Sequence, residues 1–487
     1  MPGAKDAAEE NEVTEGSTSQ KPAGAAAVKG VHKNHSKLRC VAIASGLSLC
    51  ITVDILQYSM PLAFLPSVLE DRGHSPLKIA TAIGVYYWTG FAGGAIITGY
   101  QIWCLVSGSK HDGVTTVSMV RRWIVYLILG LAVGSVTLCC QAYHPHWATH
   151  TACRFLQGFA GAFIFFYAFL LSVELFSGSQ QIFAMTAAST ALNIAEVLGS
   201  SLGASLYHYH GQRTVFWFLG GASVLNQVLL VGVCLMLKES DEPEEIKPSA
   251  SAVRRDQVQG GWSRLRAVLR SKRLGCAVVL IVMAAVIKGS VEEILPFHAD
   301  HRWGFGPMMI GKLFFITAVT YILAAVVVGR IWDSLHRYRV LFAAFWLAVL
   351  GMTSYSLFLI ASYHKTINAL YLGLALYGVC LGLTHTPAAL LLADAVEHEE
   401  GKAKDAVNGI WNTMWEAGGS VGFLLGGLLA EDYPSQIALM AAYTICCLVC
   451  AGLMVAISSW PEEKDGFRKA LAKAASYCTL DKADASA

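Results

Sequence analysis

Ionisable side chains recur inside stretches of the sequence that are otherwise apolar. Asp54, Arg154, Glu196, Lys288, Glu292, Glu293, His385 and Glu416 each lie within such a run. A charge at the centre of a bilayer costs roughly 2.5–3.5 kcal/mol on insertion scales, so groups of this kind usually face a cavity or a partner and usually serve function. The chemistry open to them is ion pairing and proton exchange. A carboxylate beside Arg154 stays ionised, whereas one that loses that partner in a dry cavity can take up a proton. Helical rise places Asp54 and Glu196 at depths compatible with Arg154. Asp54, Arg154 and Glu196 are therefore the candidate proton-coupling residues.

Lys288 and Glu292 are four residues apart and share one helical face, where they can neutralise each other. Glu293 is rotated by about 100° from Glu292, so only one of the two is expected to meet a common cavity. Asp54, Glu196, Glu292, Glu293 and Glu416 stand against Arg154, Lys288 and a titratable His385. That balance favours a cationic ligand or protons. Tyr58, Trp88, Trp411 and Trp415 lie near these groups, where an aromatic face attracts an ammonium or serves only for packing. The candidate substrate-binding set is Asp54, Tyr58, Lys288, Glu292, His385, Trp415 and Glu416.

The elements that must position these residues are membrane helices. The 487-residue chain is 55% hydrophobic and only 14% charged, well below the quarter charged that is ordinary for soluble domains. A span needs about 20 apolar residues. Such runs fall at 38–62, 79–106, 123–142, 148–173, 184–207 and 215–237, and again at 275–296, 309–332, 340–363, 369–393, 406–430 and 437–460. The expected organisation is a polar tail (1–37), six spans (38–237), a cytoplasmic linker (238–274), six more spans (275–460) and a second tail (461–487).

Basic residues stay on the cytoplasmic side of a membrane. With twelve spans and both termini inside, most of the 36 Lys and Arg fall on that side, including Lys33, Lys37, Arg39, Arg121 and Arg122. Within the linker, Trp262, Leu265 and Leu269 recur at helical spacing among arginines, a pattern suited to a short helix on an anionic leaflet or to a solvated linker. Many of the 15 histidines fall near the outer helix ends, without the spacing of a metal site. No phosphate loop, nucleophile constellation or zinc-type Cys pair is present. An enzyme is not expected, nor a cofactor, a metal or a nucleic-acid partner.

The two halves repeat one another. Glu196-Val-Leu-Gly-Ser200 in the fifth span matches Glu416-Ala-Gly-Gly-Ser420 in the eleventh, and Gly99 to Trp103 matches Gly329 to Trp332. The first span exits through Leu65-Pro66 with Gly73 and Pro76 following; the seventh exits through Leu295-Pro296 with Gly304 and Pro307 following. Duplicated bundles of this kind place a solute site at their interface.

From Leu38 to Trp460 the residues resemble the major facilitator superfamily, and in particular its drug:proton antiporter branch, which includes vesicular amine transporters. Gly329-Arg-Ile-Trp-Asp333 with Arg337 and Arg339 is similar to the superfamily signature after the eighth helix. This resemblance marks Gly329, Asp333, Arg337 and Arg339 as a conformational gate. Arg154-Phe-Leu-Gln-Gly158 resembles the fourth-helix motif implicated in proton coupling, and Asp54-Ile-Leu-Gln-Tyr58 looks like the first helix of these antiporters. Glu292-Glu-Ile-Leu-Pro296 is similar to the seventh-helix stretch of amine transporters, with Glu293 in place of a proline. The fifth-helix stretch Gly199 to Gly203 lacks the antiporter proline, and the loop after the second span lacks its aspartate.

The resemblance implies an all-α integral membrane protein with the major facilitator fold, about twelve helices in two pseudo-symmetric bundles. It implies a monomeric secondary active transporter of a small organic cation, coupled to protons and working by alternating access. A symporter or facilitator of a neutral or anionic solute is the alternative within transport. A non-transporting membrane receptor on the same fold is the alternative outside it.

Overall fold

The computed structural model describes residues 35–106, 117–144, 146–237, 270–335, 338–363, 366–395, 402–430 and 432–458. The first tail up to residue 34, the second tail, the linker from 238 to 269 with Trp262, Leu265 and Leu269, and Arg337 lie outside these residues.

The described chain is helical throughout: α1 (Lys37–Leu62), α2 (Leu65–Glu70), α3 (Pro76–Val106), α4 (Val117–Tyr143), α5 (Trp147–Glu174), α6 (Gly178–Met236), α7 (Lys272–Trp303), α8 (Pro307–Leu335), α9 (Arg339–Tyr363), α10 (Ile367–Ala395), α11 (Lys402–Leu428) and α12 (Tyr433–Ser458). The long α6 is two helices joined at Gly211, whose φ of 78° and ψ of 174° break the helical run. The fifth and sixth expected spans are these two limbs, with a single glycine between them instead of the longer loop read from the sequence. Only glycine reaches that conformation without strain.

Among the described residues, nine helical stretches are long and apolar enough to cross a membrane. α3 and α11 are not among them, because Gly, Thr, Tyr, Trp and Asn interrupt their apolar runs. These are helices that line the interior, where such residues belong. Large apolar side chains stand exposed elsewhere, among them Val136, Val228, Leu323, Phe345 and Ile445. That surface faces lipid.

The repeat seen in the sequence has a counterpart in backbone geometry. Gly73 (φ 78°) and Gly304 (φ 63°) both take left-handed conformations, and Pro76 and Pro307 each open the next helix. Pro at a helix start removes no intrahelical bond. The halves differ at Leu-Pro. In the first half the helix breaks after Leu62 and restarts at Leu65, whereas α7 runs through Pro296 to Trp303. The seventh span is therefore longer than the expected 275–296.

Helix contacts divide the molecule into two bundles. α4 packs on α5 and α6 in the first, as α9 packs on α10 and α12 in the second; α3 packs on α5 as α8 packs on α10. The bundles meet along α3 with α11 and along α6 with α8, which are equivalent pairs under the duplication. Small residues allow that approach: a Cβ on Gly94 would meet Thr413, and one on Gly311 would meet Ala204.

Candidate functional site

Between the bundles lies a cavity of about 700 Å³. Its lining begins near mid-helix at Tyr58, Ser200, Glu292 and Leu295 and extends to Val173, Met185, Leu392 and Gly409. On α10 alone, Tyr377 to Leu392 corresponds to about 22 Å of helix. The latter residues lie toward the helix ends that carry the connection between α6 and α7. At the opposite end the bundles are joined. Tyr58 Oη donates to Glu292 Oε2 at 2.5 Å, Trp88 Nε1 donates to the Ser420 carbonyl at 3.2 Å, and His301 Nε2 lies 2.7 Å from Glu70 Oε1. Tyr58, Tyr86, Tyr87 and Phe423 form an aromatic plug with neighbouring ring centres 5.1–6.5 Å apart.

Asp54, Tyr58, Glu196, Lys288, Glu292, His385, Trp415 and Glu416 all line this cavity. Lys288 is central among them. Its Nζ is 2.8 Å from Glu196 Oε1 on α6 and 2.6 Å from Glu292 Oε1 one turn along α7. It lies 5.8 Å from the centre of the Tyr58 ring and 5.6 Å from that of Trp415.

Asp54 is held differently. It is buried on α1, accepts from Tyr86 Oη at 3.4 Å, and faces Gly161 of α5, where an added Cβ would lie 2.9 Å from its Oδ1. Glu416 faces Gly90 of α3 across the bundle interface, and its buried Oε2 has no hydrogen-bond partner among the described residues. Neither carboxylate forms an ion pair among the described residues. On the opposite wall His385 Nδ1 lies 2.7 Å from Tyr321 Oη and its ring packs 4.5 Å from Trp415. Trp411 and Trp415 are parallel within 1°, and Phe165 from the other bundle is within 13° of Trp411.

One expectation needs correction. Arg154 does not meet Asp54 or Glu196. It is buried and does not line the cavity; Nη1 donates to the Gln57 carbonyl at 2.7 Å, while Nε and Nη2 have no partner among the described residues. Gln157 beside it donates to Thr137 Oγ1 at 3.0 Å and Gln141 Oε1 at 3.1 Å. Asp54 lies against Gly161, two turns further along the same face of α5, so Arg154 faces α1 at a different level and meets Gln57 instead, while Glu196 turns to the second bundle and takes Lys288. Of the adjacent pair, Glu292 lines the cavity and Glu293 does not, as their rotation about the helix axis leads one to expect. Glu293 is 1% exposed, its oxygens are unpartnered, and its Cβ lies against Gly426 of α11.

Trp88 turns to the bundle interface and does not line the cavity. Tyr86, Tyr87, Tyr321, Tyr377 and Phe165 line it and were not singled out by the sequence. The consecutive Tyr86-Tyr87-Trp88 was the one available signal. Of the gate residues, Arg339 pairs with Asp394 of α10 at 2.9 Å and lies over Trp332 at 5.2 Å. Gly329 has open space around it, and Arg337 and the Asp333 side chain lie outside the described residues. The described cysteines, including Cys139, Cys140 and Cys153, are free.

The Major Facilitator Superfamily profile matches residues 47–408 and 294–476. The human organic anion transporter MFSD10 (TETRAN) is similar in crystal structure, with 18% identity, a TM-score of 0.54, and 85% of this chain and 99% of that chain covered. A bacterial homologue of the human lysosomal transporter Spinster, solved inward-facing and unoccupied, is similar with 10% identity and a TM-score of 0.58, over 87% of this chain and 96% of that one. At such identities the likeness is one of fold. No curated protein sequence matches the chain.

Proposed function

The chain belongs to the major facilitator superfamily, a membrane transporter and not an enzyme, and from that premise we propose that it carries small organic cations across a membrane in exchange with protons. The observation that carries this reading is the state of Asp54 and Glu416. Two carboxylates face a cavity between bundles, and neither forms an ion pair among the described residues. Such groups bind either a proton or a cationic ligand, and gain or loss of that charge biases which side of the carrier is open. The parallel rings of Trp411 and Trp415 supply an apolar wall with faces that attract an ammonium.

With both termini cytoplasmic, as the distribution of Lys and Arg supports, the cavity opens inward and the Tyr58–Glu292 and His301–Glu70 contacts close the outer side. The drug:proton antiporter branch fits this reading, through Arg154-Phe-Leu-Gln-Gly158 and the acidic first helix. The fold requires no second copy to complete the cavity, and the proposed unit is a monomer.

Lys288 favours a second reading, an organic anion, and MFSD10, a protein of similar fold, is an organic anion transporter. The cation reading is preferred because Lys288 is already shared between two carboxylates. Proteoliposomes loaded with a panel of labelled organic cations and anions, under an imposed pH gradient, test the choice. Wild type should accumulate cations in response to the gradient, and Asp54→Asn should lose the pH dependence. Unchanged pH dependence in Asp54→Asn, or accumulation of anions alone, overturns the proposal.

A further inference from the structure

The surroundings of Lys288 are those of a recognition site for an ammonium group. Two carboxylates lie at 2.8 and 2.6 Å from its Nζ, and two aromatic rings lie within 6 Å of it. Charge-assisted hydrogen bonds combined with ring faces are the combination by which proteins select organic ammonium ions. The components come from both bundles: Tyr58 from α1 and Glu196 from α6, Glu292 from α7 and Trp415 from α11. All of them line the cavity that the substrate would enter.

Packing alone gives no reason for such a cluster. An apolar side chain would fill the space of the lysine stem, and buried ion pairs of this kind are often no more stable than the apolar residues that could replace them. We propose, resting on the organic-cation reading above, that this cage is where the substrate's ammonium docks, and that Lys288 is a tethered stand-in that fills it in the empty carrier.

The geometry gives the exchange a definite order. Glu292 shares α7 with Lys288, one turn away, and keeps the lysine whatever the bundles do. Glu196 belongs to the other bundle and is the partner that an incoming ammonium can take. The flexible four-carbon stem of lysine permits the retreat. Empty, one ammonium serves two carboxylates; loaded, two ammonium groups serve two carboxylates. Neither state leaves Glu196 without a cation.

Thermal unfolding of the purified full chain in detergent, in methylammonium chloride against sodium chloride at equal ionic strength, tests this. Lys288→Ala empties the cage and makes room for the probe. Its midpoint should rise saturably with methylammonium, by roughly 1–3 °C at about ten times the dissociation constant, while wild type, where the lysine must first give way, should respond less at the same concentration. Should Lys288→Ala fail to fold with two facing carboxylates, Lys288→Ala/Glu196→Gln relieves the repulsion and should show a smaller rise through Glu292. Lys288→Ala/Glu196→Gln/Glu292→Gln should show none.

A response in Lys288→Ala no larger than in wild type overturns the proposal, as does an equal response in the triple variant. No transport is required for the measurement. A saturable rise without uptake of any organic cation by wild type would therefore keep the ammonium cage and defeat the transport reading; uptake without the rise would do the reverse.

Discussion

Tyr58 and Lys288 occupy the same place in the two halves, counted back from Leu65-Pro66 and Leu295-Pro296, and the folded chain brings them together with the ammonium 5.8 Å from the ring centre. Duplication alone would place like residues opposite one another at the interface. Here one half supplies the cation and the other a ring that attracts it. Glu196 and Glu416 diverge in the same way: they are equivalent in sequence, yet one is paired with Lys288 and the other has an unpartnered oxygen.

This difference sets an order of stabilities. Removing one partner of a buried pair costs about 3–5 kcal/mol because the other charge is stranded. Lys288→Met strands Glu196 and Glu292 together and should lower the unfolding midpoint in detergent more than Glu196→Gln, which leaves Lys288 its bond to Glu292. Equal losses in the two variants would show that the cross-bundle pair is not a coupled cluster.

Asp54→Asn and Glu416→Gln should behave in the opposite sense. Neither removes an ion pair, and each replaces a carboxylate that is poorly satisfied. Their midpoints should equal or exceed that of wild type while proton-driven uptake falls at least tenfold. A marked loss of stability in either would mean that the side chain has a structural partner beyond those described.

Trp415 carries the aromatic part of the same cage. Cation–π attraction ranges from about 0.5 kcal/mol at exposed sites to about 2 kcal/mol when desolvated. Trp415→Ala should therefore raise KM for organic cations between about 2-fold and about 30-fold, with Trp415→Phe in between. A kcat change with KM untouched would assign the tryptophan to the conformational step instead.

On the closed side, His301–Glu70 joins α7 to α2 at the surface. An exposed pair contributes up to about 1 kcal/mol, so Glu70→Ala should leave the unfolding midpoint almost unchanged. It should nevertheless speed the labelling of a cysteine placed at Tyr58 by an impermeant maleimide added from that side. Identical labelling rates with and without Glu70 would remove the contact from the gate.

Close approach of α3 and α5 depends on Gly158, where an added Cβ would overlap the Tyr86 carbonyl oxygen. Overpacking of this kind costs about 1–3 kcal/mol. Gly158→Ala should lower the midpoint and displace Tyr86 from Asp54, whereas Gly99→Ala, with nothing within 4 Å of its Cβ, should leave the midpoint unchanged. Similar behaviour of the two variants would contradict the packing described.

Much of the architecture was legible in the chain because burial in lipid imposes long apolar runs, and duplication leaves ordered matches such as Leu65-Pro66 with Leu295-Pro296. Composition also flagged the ionisable residues, since few charges are tolerated in a span. The α6 bend was less legible. His208 to Arg213 reads as a polar loop, yet one residue at positive φ, Gly211, makes the turn. α3 and α11 were expected as spans, yet their glycines and aromatics dilute the apolar signal enough to leave them outside the nine stretches.

What the sequence by itself determined is the depth of each group: rise per residue fixes how far Asp54, Glu196, Lys288 and Glu416 stand from the helix ends. Azimuth and partner were decided by tertiary structure. Counted along isolated helices, Arg154, Asp54 and Glu196 have compatible depths, but packing sets Asp54 against Gly161, two turns along α5 from Arg154, and turns Glu196 to the other bundle, offsets that no single helix encodes. The offset between α1 and α5 gives Arg154 to Gln57, the orientation of α6 gives Glu196 to Lys288, and the triad expected from depth alone is not assembled.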